Sequence, residues 1–238
     1  TIIILSAISK LDECINNILF SNELNVESTI SLIQTLSKYN VKIIYFSSEY
    51  VYDGYKGYYS EMDNTNPINL YGQQKLAVEN FIRKQTFNYC ILRIAKTYSS
   101  SFSDQSLLAN WYEMIINKKV QHIKCFSDQF FSPLYVNDLC SILNLVINND
   151  ISGILNVGGP NKHSRLDCLR YFLNIFELED QVKVTETKLH TISSNENWPK
   201  NVTFNINKLN DIISFNLTSI ESVCRKMRNI YDEVILAP

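Results

Sequence analysis

Glycine is scarce in this chain: Gly54, Gly57, Gly72, Gly153, Gly158 and Gly159 are the only six among 238 residues. Any loop that cradles a phosphate must be built from them, because such loops need backbone N–H groups close to the anion with no Cβ in the way. Histidine is rarer still, and His122, His163 and His190 share no metal-ligand spacing, so no metal site is expected. There is no C-x-x-C pair; the six cysteines are scattered, mostly inside apolar patterns, where a thiol is a small hydrophobe and a reducing compartment is the simpler reading. Long apolar runs are missing as well. The strongest candidates, Thr1 to Leu5 and Asp211 to Phe215, fall far short of the ~18 residues of a membrane span and lack signal-peptide flanks, so a cytoplasmic protein without a membrane partner is expected. Nor does one sign of charge dominate: 22 basic residues stand against 24 acidic ones without a like-charged block, which argues against a nucleic-acid partner. What the chain does have, 45% hydrophobic and 19% charged residues, suits an ordinary buried core of one domain or a domain and a half.

The apolar pattern alternates between strand and helix. Ile2 to Leu5 and Val41 to Phe46 are short β-branched runs, separated by Leu24, Ile30, Ile33 and Leu36 at helical spacing. A helix is expected from about Leu70 to Lys84, followed by a third strand, Tyr89 to Ala95. Continuous apolar strands alternating with amphipathic helices predict an α/β fold, a Rossmann-like parallel sheet buried on both faces. Beyond Tyr98 the pattern predicts a helix over Ser106 to Asn117, a strand over Val120 to Phe126, a helix over Asn137 to Asn148 and a small strand over Ile154 to Val157. Helix caps are expected at Ser164 with Asp167 and at Thr218 with Glu221, the latter opening a helix to about Tyr231. The expected division is a Rossmann-like core over 1–98 and a mixed region over 99–238, holding further core elements and a smaller substrate lobe. The chain opens on a threonine inside an apolar run, which reads as a strand cut at its start.

The segment Tyr71-Gly-Gln-Gln-Lys75 carries the most chemistry. Tyrosine and lysine four apart share a helix face, and a neighbouring ammonium is expected to lower the phenol's pKa from its reference near 10. With 14 tyrosines and 16 lysines, chance alone predicts about one such pair, and Tyr52 with Lys56, spanning a turn at Gly54, is the internal control. Tyr71 and Lys75 gain weight because Ser47-Ser48 ends a buried strand upstream, at the carboxyl edge where open α/β sheets bind ligands. Read alone, two serines there are simply a strand terminus. The tyrosines at 50, 52, 55, 58 and 59 are expected to be loop packing, and Trp111 and Met114 core. Asn201-Val-Thr203 and Asn216-Leu-Thr218 fit the glycosylation pattern but mean nothing without secretion.

Three blocks together resemble a known family: Phe46-Ser-Ser-Glu-Tyr-Val-Tyr-Asp-Gly54, Tyr59-Ser-Glu-Met-Asp63 and Pro67-Ile-Asn-Leu-Tyr-Gly-Gln-Gln-Lys-Leu-Ala-Val-Glu79. They are similar to the extended short-chain dehydrogenase/reductases, and within these to the dTDP-4-dehydrorhamnose reductases. The likeness continues through Leu92-Arg93, Ser127 to Pro133, Asp138-Leu139 and Asn156 to Gly159. It also runs back through Ser6-Ala7, Leu11 to Cys14 and Asn22 to Thr29. The resemblance implies reduction of the 4-keto group of a nucleotide-linked 6-deoxyhexose with NADP or NAD as cofactor. It implies Tyr71 as general acid, Lys75 as the residue on the nicotinamide ribose, and Ser48 as the hydroxyl that orients the carbonyl. Ser6, Ala7, Ile8 and Ile94 would border the cofactor, while Tyr50, Lys96, Gln129 and Pro133 would meet the sugar nucleotide. A homodimer is left open.

The chain departs from that family in three ways. The Gly-rich loop and two βαβ units of the family would precede Thr1, and Gly158-Gly159 lies too far downstream to replace the loop. Lys96 stands where the reductases carry a tryptophan, and Phe131 where they carry glycine. A non-catalytic subunit resembling the regulatory β subunit of methionine adenosyltransferase is therefore a second expectation. A sugar-nucleotide epimerase or dehydratase is a third, kept alive by Glu49 beside Ser48. The choice of nucleotide would depend on the region from Asn195 to Asn201.

Overall fold

A computed structural model describes residues 1–39, 41–85, 88–191 and 197–235. Strands β1 (Ile2–Ile4), β2 (Ile43–Ser48) and β3 (Tyr89–Ile94) lie side by side, and the strand Gly153–Val157 pairs with β3. All three pairings are parallel, with Ile2 opposite Ile43, Ser48 opposite Ile94 and Ile94 opposite Val157. The α/β parallel architecture is thus the one expected from the apolar runs. The strand Gly153–Val157 is one of the core elements within the mixed region 99–238, joining the main sheet rather than the smaller lobe, a choice that five apolar-patterned residues cannot by themselves declare.

The period of two in β2 explains why the sheet is covered on both sides. Ile43 and Tyr45 pack with Ile33, Val78 and Ile82 of the helices Thr29–Leu36 and Leu70–Lys84 on one face. Ile44 packs on the other face with Leu139, Ile142 and Val146 of the helix Val136–Asn148. β3 repeats the alternation, Ile91 joining the first cluster and Cys90 and Leu92 the second. Burying each such side chain contributes roughly 1.5–3 kcal/mol, so a one-residue register slip would forfeit several at once.

The helix Leu70–Lys84 begins and ends as read from sequence, opened by Asn69, whose side chain accepts from the Gly72 N–H. Before it, the chain from Leu11 to Leu36 runs through the helices Leu11–Asn16 and Ile18–Asn22, a π-helical turn Glu23–Ser28 and the helix Thr29–Leu36. The smaller lobe gathers around the helices Leu107–Tyr112, Arg165–Ile175 and Ile220–Ile230, with the parallel strands His122–Phe126 and Lys183–Thr187. The Ser164–Asp167 capping box forms as expected. The Thr218 cap does not. Its N–H and hydroxyl both bond the carboxylate of Asp138, so Ser219 caps the last helix instead, accepting from Ser222. Among the described residues no helix is long and apolar enough to cross a membrane.

Candidate active site

A cleft of about 760 Å³ opens where β1, β2 and β3 end, at their carboxyl edge. Its lining brings together Ala7 from the loop after β1, Ser48 to Tyr50 from the end of β2, Tyr71 and Lys75, and Ile94 to Thr97 from the end of β3. Val136, Leu139 and Leu143 add an apolar wall, and Trp198 comes in from a distant loop.

Ser48 and Tyr71 both line the cleft, and the Ser48 hydroxyl lies near enough to the Tyr71 phenol to favour its ionised form. The backbone N–H of Tyr50 donates to Ser48 Oγ, at 3.2 Å, which fixes the serine rotamer. The close approach of helix to strand end depends on Gly72. A Cβ there would stand 2.1 Å from the Tyr50 carbonyl oxygen, so only glycine lets the first helical turn bring Tyr71 to Ser48. Lys75, one turn on, is 3% exposed and donates from Nζ to the Phe46 carbonyl at 2.8 Å. Its ammonium lies 5.7 Å from the centroid of the Tyr71 ring and 4.8 Å from that of Tyr45.

The electrostatics differ from the expectation that the ammonium lowers the phenol. Burial holds the Tyr71 phenol above its ordinary range; Cys14 and Glu49 reinforce the rise, and the nearby Ser48 hydroxyl opposes it. Burial likewise lowers Lys75 to about 8, against the opposing pull of Glu79. Desolvation outweighs the pairing because both groups sit against the protein interior. The phenol is therefore a neutral proton donor at physiological pH. Glu49, also buried, is raised to about 8, although the Lys96 N–H and ammonium work against that rise. Its Oε2 has no hydrogen-bond partner among the described residues.

Beneath these residues lies a polar network. Arg93 grips Glu79, Ser47 donates to Glu79 at 2.5 Å, and Arg93 Nη1 donates to the Tyr52 hydroxyl at 2.7 Å. The internal control Tyr52 thus sits in this network, away from the cleft, and Lys56 instead pairs with Asp63 at the surface. Of the other tyrosines, Tyr50 faces the cleft edge-on to Tyr71 and Trp198, Tyr59 stacks on Tyr52, and Tyr55 and Tyr58 are exposed.

Several expected site residues stand elsewhere. Ser6 is exposed beside the cleft without lining it. Ile8 is turned away because Asn25 holds its N–H and C=O, at 2.9 and 3.0 Å. Gln129 is tied through its backbone carbonyl to the N–H of Arg165 at 3.0 Å, and the Pro133 carbonyl packs against Gly159, so neither reaches the cleft wall. Asn195 and Glu196, at the start of the region expected to select the nucleotide, lie outside the described residues.

The structure also adds residues not read from sequence, the apolar wall of the helix Val136–Asn148 and Asn25, and from the region 195–201, expected to bear on the nucleotide, it brings Trp198 to the cleft. The Asn25 amide joins the Ile8 loop to Gln74 Oε1 at 2.7 Å, next to Lys75. The detectable signal was a polar Asn25 at a helical position otherwise suited to an apolar residue.

The family described as RmlD substrate binding domain matches residues 1–232. The chain is similar to a dTDP-4-dehydrorhamnose reductase of Sinorhizobium fredii, 23% identical over 95% of this chain and 78% of the relative. It is also similar to a methionine adenosyltransferase 2 subunit beta of Bos taurus, 26% identical over 66% of this chain; it spans only 49% of that relative's length. Among solved structures, dTDP-4-dehydrorhamnose reductase from Bacillus anthracis in complex with NADP aligns with TM-score 0.83 at 23% identity, covering 94% of this chain and 78% of that one. The reductase from Yersinia enterocolitica aligns with TM-score 0.85 at 19% identity, covering 96% and 80%. At such identities the structural likeness speaks to the fold.

Proposed function

The chain belongs to the RmlD substrate binding domain family, and from that premise we propose that it reduces the 4-keto group of a nucleotide-linked 4-keto-6-deoxyhexose with NADPH or NADH. The observation that carries this reading is the Ser48–Tyr71 hydroxyl pair at the cleft, with Lys75 one helical turn away. The preference for NADPH is supported by the relatives solved with NADP and NADPH, from Bacillus anthracis and Pseudomonas aeruginosa.

The residues present fit the nicotinamide-ribose end of such a cofactor. Lys75 spends one donor on the Phe46 carbonyl and keeps others for ribose hydroxyls, while Ala7, Ile94 and the wall of Val136, Leu139 and Leu143 offer apolar surface. When bound, the reduced nicotinamide would supply the hydride. Ser48 would donate to the carbonyl oxygen and orient it. Tyr71, held neutral by burial, would give its proton to the developing alkoxide. The ammonium of Lys75 would then stabilise the phenolate left behind. Tyr50, Lys96 and Trp198 would meet the sugar nucleotide. In this proposal residues 1–98 carry the catalytic core, and a homodimer is supported by the exposed Ile18, Leu19 and Phe20. A cytoplasmic location is supported by the six cysteines, which form no disulfide among the described residues.

The test is NADPH consumption with a nucleotide-linked 4-keto-6-deoxyhexose. Tyr71→Phe should lower turnover by about 10² to 10⁴ while leaving cofactor affinity nearly unchanged; unchanged turnover defeats the assignment. The matches to methionine adenosyltransferase β subunits favour one alternative, a binding subunit, which predicts no consumption at all. An epimerase or dehydratase, suggested by Glu49 in the cleft, predicts altered sugar without net consumption.

A further inference from the structure

We propose that Tyr45 is a positioning residue, the face of its ring fixing where the Lys75 ammonium sits at the edge of the cleft. The inference rests on the reading of the cleft as a reductase site. Tyr45 lies on β2 between Ile43 and Ser47, on the face that meets the helix Leu70–Lys84, and is 1% exposed. Lys75 Nζ stands 4.8 Å from its ring centroid, within the range of a cation–π contact, and such contacts strengthen when desolvated.

The other end of the side chain makes the case. Buried tyrosines normally satisfy their hydroxyl, yet the Tyr45 hydroxyl has no hydrogen-bond partner among the described residues. Position 45 therefore offers Lys75 an aromatic face and anchors nothing through its polar tip. With the Phe46 carbonyl at 2.8 Å and the Tyr71 ring at 5.7 Å, Tyr45 completes a three-sided seat, and no carboxylate among the described residues pairs with the ammonium. Glu79 from its own helix and Cys14 from the helix Leu11–Asn16 favour the charged form of Lys75 against burial, while Tyr71 from its own helix and Tyr45 from β2 face the ammonium with their rings. Glu79 is itself held by Arg93 of β3.

The experiment replaces Tyr45 by Phe, by ring-fluorinated phenylalanines and by Leu in the full chain. Two quantities are read: the titration of the Lys75 side chain by ¹³C NMR at its ε carbon, and the KM for NADPH. Tyr45→Phe should keep both near wild type. Progressive fluorination, which drains the ring face without changing its shape, should lower the Lys75 midpoint from about 8 stepwise. It should raise the KM by about tenfold at the end of the series, with kcat changing less. Tyr45→Leu should match the fully fluorinated variant. The role is overturned if fluorination leaves the lysine titration unchanged, or if Tyr45→Phe already behaves like Tyr45→Leu. Should Tyr45→Leu fail to fold, the fluorinated series decides alone. If wild type oxidises no NADPH with any sugar nucleotide, the reductase reading fails, while the lysine titration still decides the role of Tyr45.

Discussion

Arg93 and Glu79 meet in a two-pronged pair sealed inside the protein: Nε donates to Oε1 at 3.1 Å and Nη2 to Oε2 at 2.7 Å, with the side chains 2% and 0% exposed. Through Ser47 and Tyr52 the pair also ties the helix Leu70–Lys84 to β2, β3 and the loop that follows β2.

Removing one partner leaves a buried charge alone. Arg93→Met or Glu79→Leu should each cost about 3–5 kcal/mol, while the double variant should recover much of the loss. Equilibrium denaturation of the three variants checks this. Additive losses in the double variant would show that the two residues act independently.

Neighbouring serines at the end of β2 divide structure from chemistry. Ser47 serves the buried Glu79, whereas Ser48 lines the cleft with Tyr71. Ser47→Ala should therefore lower Tm with little effect on kcat. Ser48→Ala should lower kcat on the order of 10² with little effect on Tm. Thermal scans and steady-state kinetics on both variants separate the roles; an exchanged pattern would place the catalytic hydroxyl at 47.

Gly72 sits inside a helix, where alanine is ordinarily favoured by about 1 kcal/mol. Gly72→Ala should nevertheless destabilise the protein and displace Tyr71. The new Cβ would meet backbone, the Tyr50 carbonyl at 2.1 Å, and backbone cannot swing aside as a flexible side chain can. A gain in Tm with retained activity would show that the helix can shift without losing the site.

The parts of the molecule legible in sequence were those with a local signature. The helix Leu70–Lys84 declared itself by its apolar spacing, β2 by its β-branched run and β3 by the apolar run that follows the helix. Ser48, Tyr71 and Lys75 could be read together because helix period and strand end bring them to one edge. Illegible were relations between distant segments. Trp198 reaches the cleft from more than a hundred residues beyond Tyr71; the region around it was expected to bear on the nucleotide, but nothing in that region singled out the tryptophan. Leu139 and Leu143 look like any amphipathic helix, since lining a cleft and lining a core demand the same side chains. The cap at Thr218 failed because Asp138, eighty residues away in sequence, claims its hydroxyl. The expected drop in the Tyr71 pKa failed because spacing places charges but says nothing about the burial that outweighs them.

Glu49 tests that last point through stability. Burial, offset in part by Lys96, raises its carboxyl from 4.5 to about 8. Between those values the unfolded chain has released the proton while the folded protein keeps it, so the unfolded state binds fewer protons and stability must fall as pH rises. The contribution is fully present below pH 4.5 and lost as pH climbs through about 8, at up to about 1.4 kcal/mol per unit. Glu49→Gln keeps the shape and carries no titrating proton. The stability of wild type minus that of Glu49→Gln should therefore decline steadily across this window, as read by denaturant unfolding at successive pH values. A flat difference would mean that Glu49 is already ionised in the folded protein, and that Lys96 outweighs the desolvation of its carboxyl.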